Sequence, residues 1–116
     1  GRYRGLAQQL GRPPVEDMMN NVFFDTCVYH RPGVELLLEV VPPDNVLFAS
    51  EIIGAVKGID PNTGFNYDDT KRYIDQVEWL APEHRAKVLG GNALRVYPRL
   101  AKRIEARKKI HEQNKK

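Results

Sequence analysis

The chain has one cysteine, Cys27, in 116 residues, so no internal disulfide can form, and a lone thiol suits a reducing, cytoplasmic setting. Long apolar runs are missing too. No stretch approaches the ~20 residues needed to cross a bilayer, and no signal peptide is visible. The body also lacks positive charge. The formal total is +3, but seven of the 18 basic side chains fall in residues 102–116, against only Glu105 and Glu112. The remainder holds 11 basic and 13 acidic groups, which excludes a polyphosphate-binding surface everywhere but the tail. An initiator methionine is absent as well: the chain opens Gly1-Arg2-Tyr3-Arg4 with nothing tag-like, and reads as a piece of a longer protein.

What is present is ordinary for one soluble globular unit, 41% hydrophobic and 28% charged. Residues 1–21 carry Arg2, Arg4 and Arg12 and a Pro13-Pro14 break, and predict irregular chain with one short helical turn over Gly5–Leu10. Closely spaced arginines suit either a carboxylate, which each guanidinium can grip with two parallel bonds, or plain solvated surface. Residues 22–29 are rich in β-branched and aromatic types and predict a strand with Phe23, Asp25, Cys27 and Tyr29 on one face. There Asp25 needs a polar interior or a hydrogen-bond network.

Pro32 opens a helix running through Val34–Val41, with Glu35 and Glu39 one turn apart, and Pro42-Pro43-Asp44 ends it. Val46–Ser50 is the second strand and runs straight into Glu51. Strand, helix and strand make a βαβ unit with parallel strands and a right-handed crossover. Glu51 either ends its strand in water or stands where parallel-sheet enzymes gather their chemistry.

The glycine-rich stretch Ile52–Tyr67 is long enough to be a binding loop, and Lys57 and Ile52-Ile53-Gly54 would wall the same pocket as Glu51. Three helices follow. Asp69 caps the first, whose stripe is Tyr73, Val77 and Leu80 with Ile74 and Trp79 beside it. Pro82 opens the second and Gly90-Gly91 stops it. Asn92 caps the third, which restarts at Pro98 and frays along the tail. Two strands and these helices are too little to close a core.

Several runs carry a family resemblance. They are Asn21-Val-Phe-Phe-Asp-Thr-Cys-Val-Tyr-His-Arg-Pro-Gly33, Val46-Leu-Phe-Ala-Ser-Glu51-Ile-Ile-Gly-Ala-Val, Gly58-Ile-Asp-Pro-Asn-Thr-Gly-Phe, Tyr67-Asp-Asp-Thr-Lys-Arg-Tyr-Ile and Gly91-Asn-Ala-Leu-Arg-Val-Tyr-Pro98. Together they resemble the C-terminal part of the metal-dependent amidohydrolase-related family that includes aminocarboxymuconate semialdehyde decarboxylase. Within it they look most like the branch of hydratases acting on 4-oxalomesaconate. The resemblance implies an α/β fold: the last two strands and closing helices of a (β/α)8 barrel, with residues 1–101 in the barrel and 102–116 as a basic tail.

It further implies that Glu51, in Ala49-Ser50-Glu51, is a zinc ligand where most members carry aspartate. The family's other ligands are histidines of an His-x-His pair and one more. His30, His84 and His111 include no such pair, so the isolated chain should be inactive and hold Zn2+ weakly or not at all. By the same resemblance Arg2 grips a substrate carboxylate, within its own subunit or across a dimer interface, while Arg4 has no match. Cys27 and Tyr29 lie near the same strand end, where they would touch substrate, although a small Cys27 reads first as a buried core residue. His30 has a capping and a catalytic reading. The partners implied are a small polycarboxylate and a second subunit, with no membrane. A decarboxylase or hydrolase of the same family is the nearest alternative. A non-enzymatic module whose basic tail contacts nucleic acid is the alternative of a different class.

Overall fold

Two short parallel strands, β1 (Phe24–Asp25) and β2 (Val46–Leu47), pair with Phe24 opposite Val46 and Asp25 opposite Leu47. Helix α3 (Arg31–Val40) joins them, so the expected βαβ unit is present. The computed structural model describes residues 2–51 and 57–114. It is an α/β unit with a two-stranded sheet among the described residues, not itself a barrel.

Both strands are shorter than the sequence suggests, and after β1 the cause is local. The Asp25 carboxylate accepts the Cys27 N–H at 2.9 Å, and the Val28 N–H closes a tight turn on the Thr26 carbonyl at 2.7 Å. These bonds curl the backbone out of the extended form. Asp25 is therefore exposed and partnered by its own chain, not buried in a polar interior or network. Thr26 carries the pairing one step further. Its N–H donates to the Leu47 carbonyl at 3.1 Å, and its hydroxyl both accepts the Ala49 N–H and donates to the Ala49 carbonyl, each at 3.0 Å.

Pro32 sits in the first turn of α3, where its missing N–H is no loss. Val34 and Leu38, one turn apart, face inward, and the Arg31–Glu35 ion pair lies toward solvent. Helix α4 (Thr70–Asp75) lays Tyr73 and Ile74 against that face. With Val41, Val46, Val77, Leu80 and Val88 they make a core, so the unit does close a small one. Ile74 is central to it, while Trp79 is 57% exposed; the helix stops at Asp75, and Val77 and Leu80 enter from the turns beyond. Asp69 holds the N-cap position of α4 without a side-chain cap bond. At the other end, Arg85 of α5 (Pro82–Ala86) donates to the Ile74 and Val77 carbonyls at 2.7 and 3.0 Å, which caps the α4 terminus.

Gly90-Gly91 does not stop the helix. A π-turn, Lys87–Gly91, joins α5 to α6 (Asn92–Val96) without a break. Two glycines in a helix cost about 1 kcal/mol each, and long-range bonds offset that. Asn92 is buried, not a cap, and its Nδ2 donates to the Pro43 carbonyl at 2.6 Å and the Val46 carbonyl at 2.8 Å. The Phe48 N–H donates to the Val88 carbonyl at 3.0 Å, tying β2 to the π-turn.

The N-terminal segment is more ordered than its composition suggests. Helix α1 (Arg2–Gln9) ends at Gly11, whose φ of 60° lets Arg12 N–H return to the Ala7 carbonyl at 2.9 Å. Helix α2 (Val15–Met19) follows the two prolines. The break at Pro98 is where it was expected: α7 (Pro98–Gln113) starts there and stays helical to Gln113, with no buried residue.

Candidate functional site

The carboxyl end of β2 is held from two sides. The Ala49 carbonyl receives the Thr26 hydroxyl and also that of Thr70, at 2.9 Å, so the start of α4 is tied two residues before Glu51. Glu51 itself is exposed and has φ of 51°, the one non-glycine residue with positive φ among those described. That conformation costs of the order of 1 kcal/mol and is concentrated at functional sites. It turns the carboxylate toward Tyr29, whose hydroxyl donates to Glu51 Oε2 at 3.2 Å.

The electrostatics agree with the geometry. Desolvation, then the hydrogen bond to Glu51 and its charge, push the Tyr29 phenol above its ordinary value, with Cys27 and Asp68 adding to the effect. Desolvation, then the charges of Glu51 and Asp25, push the Cys27 thiol up. Cys27 therefore stays protonated near neutral pH and is no thiolate nucleophile. Tyr29, Cys27, Glu51 and Asp68 thus form one acidic rim at the strand end, where a cation would be favoured.

The structure brings together three of the four residues singled out from sequence: Cys27, Tyr29 and Glu51. Arg2 is exposed on α1, and no hydrogen bond among the described residues joins it to this rim. Arg4 and Arg12 line a separate hollow with Ala7, Gln8 and Pro14. His30 takes the N-cap position of α3, exposed and without a side-chain cap bond. Of the loop, Ile52–Val56 lies outside the described residues, and Lys57 is exposed. The remainder folds back on itself through an Ile59–Asn66 bridge around an Asp60–Gly64 turn. Sequence reasoning missed Thr26 and Thr70 as anchors, and Asp68 as a charge on the rim. Two hydroxyls that share one distant carbonyl leave no local signal.

No group of three or more His, Cys, Asp or Glu side chains able to hold a metal occurs among the described residues. The donor set here amounts to one carboxylate beside a thiol held protonated and a phenol. A catalytic zinc needs about three protein ligands, more than the donors gathered here among the described residues.

The amidohydrolase family model matches residues 2–99. The chain belongs to the amidohydrolase family. Among curated amidohydrolase relatives, it is 53% identical over 108 residues to 2-keto-4-carboxy-3-hexenedioate hydratase from Sphingobium sp. (strain NBRC 103272 / SYK-6), covering 92% of this chain and 31% of that one. Among solved structures, it is similar to the 4-oxalomesaconate hydratase of Rhodopseudomonas palustris, at 60% identity and a TM-score of 0.84, covering 96% of this chain and 34% of the other. The chain therefore spans about a third of the length of these relatives. The family is generally metal-dependent.

Proposed function

We propose that this chain is the C-terminal part of a zinc-dependent hydratase that adds water to 4-oxalomesaconate during the breakdown of aromatic acids such as protocatechuate and gallate. The observation that carries the reading is 60% identity to a hydratase of that name over 96% of the chain, with the backbone superposing at a TM-score of 0.84. The fold that goes with it is a (β/α)8 barrel, of which β1 and β2 are the last two strands.

The relative's name describes three carboxylates and a keto group conjugated to a carbon–carbon double bond. Water can add by giving up a proton to a base as its oxygen bonds to C4, while the C3–C4 π pair becomes the C2–C3 bond and the carbonyl pair moves to the keto oxygen. C3 then takes a proton and the ketone returns. A zinc ion in such a site supplies a water acidic enough to act near neutrality. This chain contributes Glu51 as one of the metal's ligands. Tyr29 holds one oxygen of that carboxylate, fixing the orientation of the other. Cys27, kept as a thiol, and Tyr29 border the bound substrate. Arg2 grips a substrate carboxylate, across a dimer interface. The setting is cytoplasmic, in keeping with the single free thiol.

A decarboxylase would release CO2 from a similar substrate, and the hydratase is preferred because both relatives carry that name. The test is made on the full-length enzyme with 4-oxalomesaconate. Water addition without CO2 release is expected, and Glu51→Gln should lower both bound zinc and turnover, the latter by about 100-fold or more. CO2 release would replace the hydratase reading. Tight, stoichiometric zinc uptake by the 116-residue chain alone would overturn the view that its site is partial.

A further inference from the structure

Arg72, in the first turn of α4, is packed between two rings. Its guanidinium carbon stands 4.3 Å from the Phe65 ring centre and 4.9 Å from that of Tyr73. Nε and Nη2 are fully buried, and neither has a hydrogen-bond partner among the described residues. The two nitrogens form one edge of the guanidinium plane, the edge that takes a carboxylate through two parallel N–H···O bonds. Rings stacked over the plane attract its charge, but they do not satisfy donors that point outward along the edge. Leaving such charged donors bare costs more than leaving a neutral group bare.

Of the acids near it in sequence, Asp75, one turn on, is paired with Lys71 and Arg85, and neither Asp68 nor Asp69 is bonded to these two nitrogens. The place is informative as well. Thr70, two residues before Arg72, is bonded to Ala49, two residues before Glu51. The empty edge therefore belongs to the same end of the sheet as the acidic rim. Phe65, half-exposed on the hairpin that follows Glu51, is the cover on one side of it.

We propose that the Nε/Nη2 edge of Arg72 is a carboxylate seat, filled from outside this chain when the Phe65 hairpin shifts. A carboxylate can come from the polycarboxylate substrate, in which case the seat rests on the function proposed above. It can also come from an Asp or Glu in the rest of the enzyme.

The full-length protein with Arg72→Met and Arg72→Lys distinguishes these sources, with KM and kcat read beside the melting temperature of substrate-free protein. A substrate seat raises KM about 10-fold or more in the Met variant, since charge-assisted bonds are lost, and leaves the melting temperature equal or higher. A protein partner lowers the melting temperature with KM within about twofold, because a buried counter-charge is stranded. Arg72→Lys keeps the charge and loses the fork, so it falls between parent and Met variant; a Lys variant equal to the parent would overturn the two-bond seat. A Met variant with KM unchanged and melting temperature unchanged or raised would show an arginine without an acceptor, and the proposal would fail. Absence of hydratase activity would refute only the preceding section. The seat would then be read from the melting temperatures, with citrate as the probe: protection of the parent and not of the Met variant supports a ligand carboxylate, and equal melting in both proteins with no difference in protection overturns it.

Discussion

Asn92 and Arg72 both carry polar side chains into the helical layer beside the sheet, and they end in opposite conditions. Asn92 is 2% exposed and its Nδ2 makes two bonds, to the Pro43 and Val46 carbonyls. Arg72 has two buried nitrogens and a partner for neither. The regions around them differ in the same way. Near the start of β2, Asn45 donates twice as well, to the Met19 and Val22 carbonyls, so this side is closed by the chain itself. At the far end, Glu51 is exposed, has a left-handed backbone and keeps one hydrogen bond, from Tyr29. The start of β2 is finished within this chain. The end that leads to Glu51 is not closed in this way among the described residues.

The contrast can be broken most forcefully at Asn92. Asn92→Leu strands two carbonyl acceptors in a buried place, and each costs about 1–3 kcal/mol. A loss of roughly 2–5 kcal/mol in urea unfolding is expected, which is a large part of the stability of a small domain. A loss under about 1 kcal/mol would mean that the closed side is not closed by these bonds. Thr26→Val is the next test. The shape is kept, but both hydroxyl bonds to Ala49 go, for an expected loss of about 2 kcal/mol in the same measurement. Because Ala49 leads into Glu51, this substitution also tests whether the closed side supports the open one.

What could be read from sequence was what local chemistry decides. Pro32 and Pro98 mark helix starts because a fixed φ and a missing N–H act where they stand. The Val46 strand follows from side-chain type, although it is a strand only over Val46–Leu47 and stops short of Glu51, and the family match over residues 2–99 bears out the resemblance drawn from the same words. Gly90-Gly91 was misleading because a stop signal is only a local preference. Asn92 reaches partners 49 and 46 residues away, and such bonds outweigh two glycines. Thr26 and Thr70 likewise meet Ala49 across 23 and 21 residues. In Arg72 the sequence shows only one more charge in Thr70-Lys71-Arg72-Tyr73, and its burial depends on Phe65 folding back over it.

The smallest expected effect is at an ion pair on the closed side, and its sign can be worked out. Lys87 Nζ stands 2.9 Å from an Asp44 carboxylate oxygen. The hydrogen bond from Lys87 holds the Asp44 carboxyl below its ordinary 3.8, with desolvation working against it and the Lys87 charge with it. A folded-state value below the unfolded one means the contribution is present above pH 3.8 and disappears as pH falls through the lower folded value. Side chains 44% and 57% exposed keep it to a few tenths of a kcal/mol. Lys87→Met should therefore lower stability slightly at neutral pH, and the difference should fade as pH falls below 3.8 or in about 1 M salt. The Asn92→Leu loss should survive both conditions, since it comes from desolvated carbonyls and not from screened charge. If salt removed the Asn92 effect as well, the closed side would be held by surface electrostatics, and the contrast with Arg72 would collapse.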